Sequence, residues 1–325
     1  MKQKVKAGIA GLGNHAIQPH LAKLLKMSDV EIVGAFDPDI SKFNKANEIL
    51  GTNLKFFNSY QELCFASDAV VICSPDSVHF SQLMIAVKEY GCHALVERPI
   101  LTDKAQAKEF KELIRTTDKV VTTCHPRRFD AMYVYIKELV EKCQKQYGKV
   151  EGVEISIERQ VPTENERRNY RDSFLSDHFC HELDYFNFLL GYQEVKANRV
   201  CDLCDSYYVH GWRTDGIGFT FDVSRLLPKG SLSHEKVVVR FERAVLEIDN
   251  LGESRLCIKR NTPAFGNQLF FKEPIQLPKT DHNAKYEALN RNFIDSIWGK
   301  AKPYLSKEEI IAAATVPLDY MPKSK

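Results

Sequence analysis

Along the first 125 residues, short and mostly apolar runs alternate with longer stretches in which apolar residues recur every three or four positions. The runs fall at 5–10, 30–36, 69–73, 93–96 and 120–124, with a shorter one at 55–57. Helical spacing occupies 16–27, 40–50, 60–66, 78–90 and 104–116, and Gly51 and Gly91 stand just past two of those helices, where a left-handed residue ends a helix without steric cost. A strand that is apolar on both sides needs cover on both faces. Strands of that kind alternating with helices predict a parallel, doubly wound α/β sheet.

Beyond Phe129 the period changes. In 150–160, Val153, Ile155 and Ile157 alternate with Glu154, Ser156 and Glu158, the period of two that marks a sheet with one covered face and one wet face. Further strands are expected at 216–223, 236–241, 244–248 and 255–259, and helices at 132–142, 283–298 and 307–319. The chain therefore divides on paper into an α/β domain, 1–125, and an α+β domain, 126–325, whose last helices can pack back on the first.

Composition narrows the partners. The 325 residues are 44% hydrophobic and 27% charged, an ordinary globular mix. Lys plus Arg (45) nearly cancel Asp plus Glu (43), so there is no electrostatic reason to expect nucleic acid or a membrane surface as partner. No apolar run is long enough to span a bilayer, and the opening Met-Lys-Gln-Lys-Val-Lys leads into a strand pattern without a signal-peptide core, so a cytoplasmic location is expected. The nine cysteines are odd in number and scattered; Cys73, Cys92 and Cys124 sit in or beside apolar strands, where a thiol behaves as a small hydrophobe. The pair Cys201 and Cys204 lacks a second pair, and no metal site is expected.

Between the first strand and first helix lies Gly11-Leu-Gly13-Asn14-His15-Ala16. A tight turn needs the first glycine, close approach of a pyrophosphate needs the second, and a small third residue lets helix and strand pack closely. Phosphates would sit at the positive end of that helix. Asp37 ends the second strand, where a carboxylate can accept from an adenosine ribose and repel a 2′-phosphate, so NAD is favoured over NADP, with Ser41 and Lys42 nearby to blur the preference. The same Asp37 can simply open the Asp-Pro turn.

Three later segments complete the picture: Cys73-Ser74-Pro75-Asp-Ser-Val-His79, Leu95-Val-Glu97-Arg98-Pro99, and Cys124-His-Pro-Arg-Arg128-Phe129, followed by Asp177-His-Phe-Cys-His181-Glu-Leu-Asp184. In this order they resemble the Gfo/Idh/MocA oxidoreductases, the family of glucose–fructose oxidoreductase and inositol dehydrogenase, over the whole chain. The resemblance implies a Rossmann domain, a C-terminal α+β domain on an open, mainly antiparallel sheet, a homo-oligomer (dimer or tetramer) built on that sheet, and a nicotinamide cofactor at the domain cleft. It implies oxidation of a secondary alcohol, or the reverse reduction, on a sugar, cyclitol or related polyol. Carried over by motif, His181 is the general base, Asp177 positions it or the substrate hydroxyl, and Arg98 takes the place of the family lysine. Gly11, Gly13, Asn14, His15, Ala16, Asp37, Ser74, Pro75, His79, Glu97 and Arg98 would line the cofactor. Arg98, Arg128, Arg171, Asp177 and His181 would meet the substrate.

The chemistry is coherent on its own terms. Expelling a hydride from a carbinol carbon requires the hydroxyl proton to leave, and histidine titrates where that transfer is useful. Two departures shape the expectation. Arg98 stays protonated and can polarise an oxygen but cannot relay a proton, which leaves a non-catalytic dinucleotide sensor or scaffold as the alternative reading. Phe179 stands where the pattern usually has glycine, and the segment 170–176 before it contains none.

Overall fold

In the computed structural model the apolar runs of the first half stand side by side as five parallel strands: β1 (Val5–Ala10), β2 (Val30–Phe36), β3 (Ala69–Ile72), β4 (His93–Val96) and β5 (Val121–Thr123), in the order β2-β1-β3-β4-β5. The structure describes residues 4–161, 174–203, 205–262 and 266–320. Two compact units emerge, 1–130 together with 281–318, and 131–280 together with 319–325. The first stretch of the first unit ends at Asp130, and most of the C-terminal helical segment counts with that unit.

In the first unit the helices form where sequence and caps agree. Asp39 accepts from the Ser41 amide at the start of Ile40–Leu50, and Gly51 ends that helix at φ +61°. Helix Tyr60–Phe65 starts at Ser59, whose side chain accepts from the Glu62 amide. The first helix is irregular: Asn14–Ala16 runs into a π-helical turn, Ile17–Leu21, before Ala22–Leu24. Pro19 sits in that turn. Helix His282–Ile297 packs against this same helix, burying Leu289, Phe293 and Ile294 in one core with Ile9, Leu21 and Leu24. Asp281 caps it by accepting from the amides of Asn283 and Ala284, and Arg291 grips Asp29 with two hydrogen bonds of 2.8 and 3.0 Å.

The second unit is built on an eight-stranded sheet. Its strands are β6 (Val150–Gln160), β7 (Val195–Leu203), β8 (Ser206–Arg213), β9 (Gly218–Leu227), β10 (His234–Phe241), β11 (Ala244–Asp249), β12 (Ser254–Thr262) and β13 (Gly266–Ile275), in the order β13-β12-β11-β10-β6-β9-β8-β7. Only β6 and β9 run parallel; the other neighbours are antiparallel. Helices Ala131–Tyr147 and Phe174–Leu190 pack on one face. Val153, Ile155 and Ile157 point into it, while Glu154 and Glu158 are exposed.

Three strands are absent from the sequence-based expectation: β7, β8 and β13. β7 and β13 are the sheet's two edges, where a strand has a neighbour on one side only and no apolar period needs to develop. In β8 the inward positions are Tyr207, Val209, Gly211 and Arg213, and the last two break the apolar alternation. Arg213 is buried by pairing with Asp215 and the Gly191 carbonyl, 3.0 Å away, over the face of Phe186. Among the described residues no helix is long and apolar enough to cross a membrane.

Candidate functional site

The carboxyl ends of the parallel strands gather the sequence motifs of the first unit. The Gly11 amide donates to the Phe36 carbonyl at 2.8 Å, Cys73 to Ala10 at 2.7 Å, Glu97 to Ile72 at 2.8 Å and Cys124 to Val96 at 3.0 Å, so the loops leave the sheet as one rim. Gly11 has φ +82°, and a Cβ there would lie 2.6 Å from the Ser74 amide nitrogen and 2.7 Å from the Cys73 carbonyl. Only glycine fits. Gly13 differs: a Cβ there would meet nothing within 4 Å, and the residue precedes the first helix with extended φ and ψ. The space beside its amide is open, as close approach of a pyrophosphate requires. Ala16 is fully buried, and Asn14 and His15 are exposed in the first turn of the helix.

Asp37 does both things that its position allowed. It opens the turn by accepting from the Asp39 amide at 2.9 Å, and it reaches across to accept from the Leu12 amide at 2.8 Å, fastening the glycine loop to the end of β2. A carboxylate has about four acceptor sites, so capacity for a ribose hydroxyl remains. Lys42 comes within 3.8 Å of it.

His79 is buried, its Nδ1 2.7 Å from the Pro99 carbonyl and its Nε2 2.7 Å from the Ser74 carbonyl. It staples the Ser74-Pro75 loop to the Arg98-Pro99 loop. Ser74 Oγ donates to Gln82 Oε1 at 2.7 Å, and Pro75 is exposed. Glu97 and Arg98 are half-buried at the end of β4. Arg128 places its guanidinium on Glu309 at 2.6 Å and on the Tyr304 carbonyl at 3.1 Å, all within the first unit.

Sequence reasoning did not single out the residues behind Glu97. His20, fully buried in the π-helical turn, lies 3.1 Å from Glu97 Oε1 through Nε2 and 3.0 Å from Asn290 Oδ1 through Nδ1. Cys124 Sγ is 3.9 Å from the same Nε2. Ligand-type atoms of His20, Glu97 and Cys124 thus lie within 4.8 Å of one another, but they already bond to each other. Burial pushes the Glu97 carboxyl up, and the hydrogen bond and charge of His20, helped by Arg98 and His15, overturn that and hold it down to about 2. Burial, with Glu97 beside it, keeps Cys124 a thiol. The histidine inside a helical pattern with Pro19 before it was the available signal; Asn290 offered none.

In the second unit, positions 177 and 181 lie one turn apart on Phe174–Leu190. His181 is half-buried, its ring 6.3 Å from that of His178. The side chain of Asp177, with Arg171 and Cys204, lies outside the described residues. Phe179 has a clear role: fully buried, it packs on Phe221 at 5.7 Å, Tyr320 at 6.1 Å and Tyr207 at 6.2 Å. The ring fills space between helix and sheet that a glycine would leave empty. Next to it, Glu182 is fully buried and accepts from Tyr207 Oη, and burial with that carboxylate pushes the phenol well up.

Residues 5–125 match the family described as an oxidoreductase family with an NAD-binding Rossmann fold, GFO_IDH_MocA. The match lies within the first unit. It is 28% identical over 127 residues to D-glucoside 3-dehydrogenase of Escherichia coli, a stretch covering 38% of this chain and 36% of that one. It is 26% identical over 194 residues to myo-inositol 2-dehydrogenase of Thermotoga maritima, covering 59% and 56%. The matched stretches therefore span less than two thirds of these relatives. The fold is that of apo scyllo-inositol dehydrogenase from Lactobacillus casei, with a TM-score of 0.77 at 17% identity over 98% of this chain and 95% of that one.

Proposed function

We propose that this chain is an NAD(P)-dependent dehydrogenase or reductase that moves a hydride between the cofactor and a secondary alcohol or ketone of a sugar, cyclitol or related polyol. The observation that carries this reading is the contrast within one loop: Gly11 is locked against the Ser74 backbone, while Gly13 leaves open space at the amino end of a helix. When bound, the nicotinamide supplies the hydride acceptor or donor. The protein's part is to seat it with Gly11, Gly13, Asn14, His15 and Ala16, hold its ribose through Asp37, and line the strand ends with Ser74, Pro75, His79, Glu97 and Arg98.

In this reading His181 would take the hydroxyl proton, and Arg98 would polarise the oxygen without exchanging a proton. Asp177 positions the base, and Arg128 and Arg171 address the substrate. The relatives named for inositol and glucoside oxidation support the polyol class, and a homo-oligomer, dimer or tetramer, is proposed with it. Arg98 in the lysine's place also favours a second reading, a dinucleotide-binding sensor or scaffold without turnover.

Thermal unfolding with NAD, NADH, NADP and NADPH tests the cofactor: a ligand at about a hundred times its Kd should add about 2.7 kcal/mol. Reduction of NAD by inositols and glucosides, followed spectroscopically, tests the chemistry. Turnover that vanishes in His181→Ala while dinucleotide stabilisation persists supports the enzyme. Stabilisation without hydride transfer to any polyol supports the sensor, and no stabilisation by any of the four sinks both.

A further inference from the structure

His20 and Asn290, the buried polar side chains behind Glu97, have no place in the scheme above, yet their geometry is tightly determined. Asn290 donates its amide hydrogens to two carbonyls, Pro19 at 2.9 Å and Tyr286 at 2.7 Å. That fixes which end of the amide is which, so Oδ1 faces His20 and must accept from Nδ1–H. With Nδ1 committed as a donor, the contact between Nε2 and Glu97 Oε1 at 3.1 Å holds a single shared proton. Both partners are shielded: His20 is fully buried and the Glu97 side chain is 12% exposed.

We propose that His20 is a positioning residue: oriented by Asn290 on the returning helix, it holds the Glu97 carboxyl group through the proton shared with Nε2, and that group anchors the Arg98 guanidinium beside it. This rests on the oxidoreductase reading for its purpose, although not for its geometry. It gives the π-helical turn a use, since a π turn takes one residue more than α winding and is frequent at functional sites. It also compensates for the arginine. A lysine can find its own position by rotating a point charge, whereas a planar guanidinium is useful only when an acceptor fixes its plane.

The groups facing Glu97 are His20 and His15 from the first helix, Arg98 at its own strand end, Cys73 and Cys124 from the neighbouring strand ends, and Tyr286 from the returning helix. Of these, His20 gives the carboxylate its hydrogen-bonded positive partner. In His20→Gln a neutral donor replaces it, burial is no longer opposed by that charge, and Glu97 should protonate at far higher pH.

Two measurements decide the matter. Nitrogen-15 shifts of the His20 ring in the cofactor-free chain, assigned by comparison with His20→Gln or by its contacts to Asn290, should show Nδ1 carrying a proton, as the bond to Asn290 Oδ1 requires. A ring with no proton on Nδ1 overturns the proposal whatever the cofactor does. Then NADH affinity is followed against pH. The wild type should be flat on the acidic side. His20→Gln should lose about tenfold per pH unit below the raised Glu97 value, as one protonation requires, and Glu97→Gln added to it should abolish that slope. A slope that is absent from His20→Gln, or that survives in the double variant, overturns the proposal. Should His20→Gln fail to fold, the wild-type ring measurement is decisive by itself. A wild-type chain that ignores NADH defeats the cofactor reading and leaves the ring measurement to judge the clamp.

Discussion

In β3 every side chain from Ala69 to Ile72 is buried, whereas in β6 burial alternates, with Val153, Ile155 and Ile157 hidden and Glu154 and Glu158 in water. The first sheet has helices on both faces; the second has helices packed on one. The difference teaches where each unit can carry polar groups. In the parallel sheet the polar groups of the sequence motifs sit just beyond the strand ends, Asp37 after β2, Ser74 after β3, and Glu97 and Arg98 after β4. The antiparallel sheet carries polar side chains along its open face, as in the Arg240–Glu154 pair at 2.7 Å.

The largest expected effect falls in the second unit. Phe179→Ala should cost about 3–5 kcal/mol, the usual range for a buried aromatic truncated to alanine, measured by urea unfolding. A loss under about 1 kcal/mol would mean that the helix does not depend on this ring. Next, threonine can be placed at successive positions of each strand. In β3, Val70→Thr and Val71→Thr should both destabilise by about 1–3 kcal/mol, because both bury a hydroxyl. In β6, Ile155→Thr should do the same while Glu154→Thr stays within about 0.5 kcal/mol of wild type. Equal effects at 154 and 155 would erase the contrast between the sheets.

Within the first unit the glycine loop sharpens the comparison further. Gly11→Ala should cost about 1–3 kcal/mol, since it forces a side chain into a left-handed backbone and against the Ser74 amide. Gly13→Ala should leave stability within about 1 kcal/mol and lower NADH affinity instead. The reverse pattern would separate the loop from dinucleotide binding. The smallest effect concerns the returning helix. The Arg291 hydrogen bonds at Asp29 hold its carboxyl below the usual range despite some burial. A lowered native value means that this contribution is present above about pH 4 and fades as pH falls through the native pKa. Asp29→Asn should therefore cost about 0.2–1 kcal/mol at pH 7, given the partial exposure of both partners, and nothing near pH 2. A cost that does not shrink in acid would assign the effect to packing.

Some of this was legible in the residues because it follows from burial that repeats. Continuous apolar runs gave β1, β3 and β4, and Gly51 and Gly91 ended the helices at the expected places with φ +61° and +67°. The edge strands β7 and β13 escaped because a strand with a neighbour on one side only needs no apolar period. Phe179 read as a mere departure from a glycine pattern, since a helix sequence does not reveal that Tyr207, Phe221 and Tyr320 leave a ring-sized space opposite.

By itself, then, the order of residues determined the two kinds of sheet, the glycine turn and the chemistry grouped in its motifs, because each depends on neighbours a few positions apart. Only the tertiary structure decided that Asp37 fastens Leu12, that His79 joins Ser74 to Pro99, and that Asn290 fixes His20 against Glu97 from 270 positions away. Those bonds pair side chains whose separation along the chain carries no period. What sets them is the burial of a polar group that must find a partner, and the partner is whichever residue the packed helices and strands bring within reach.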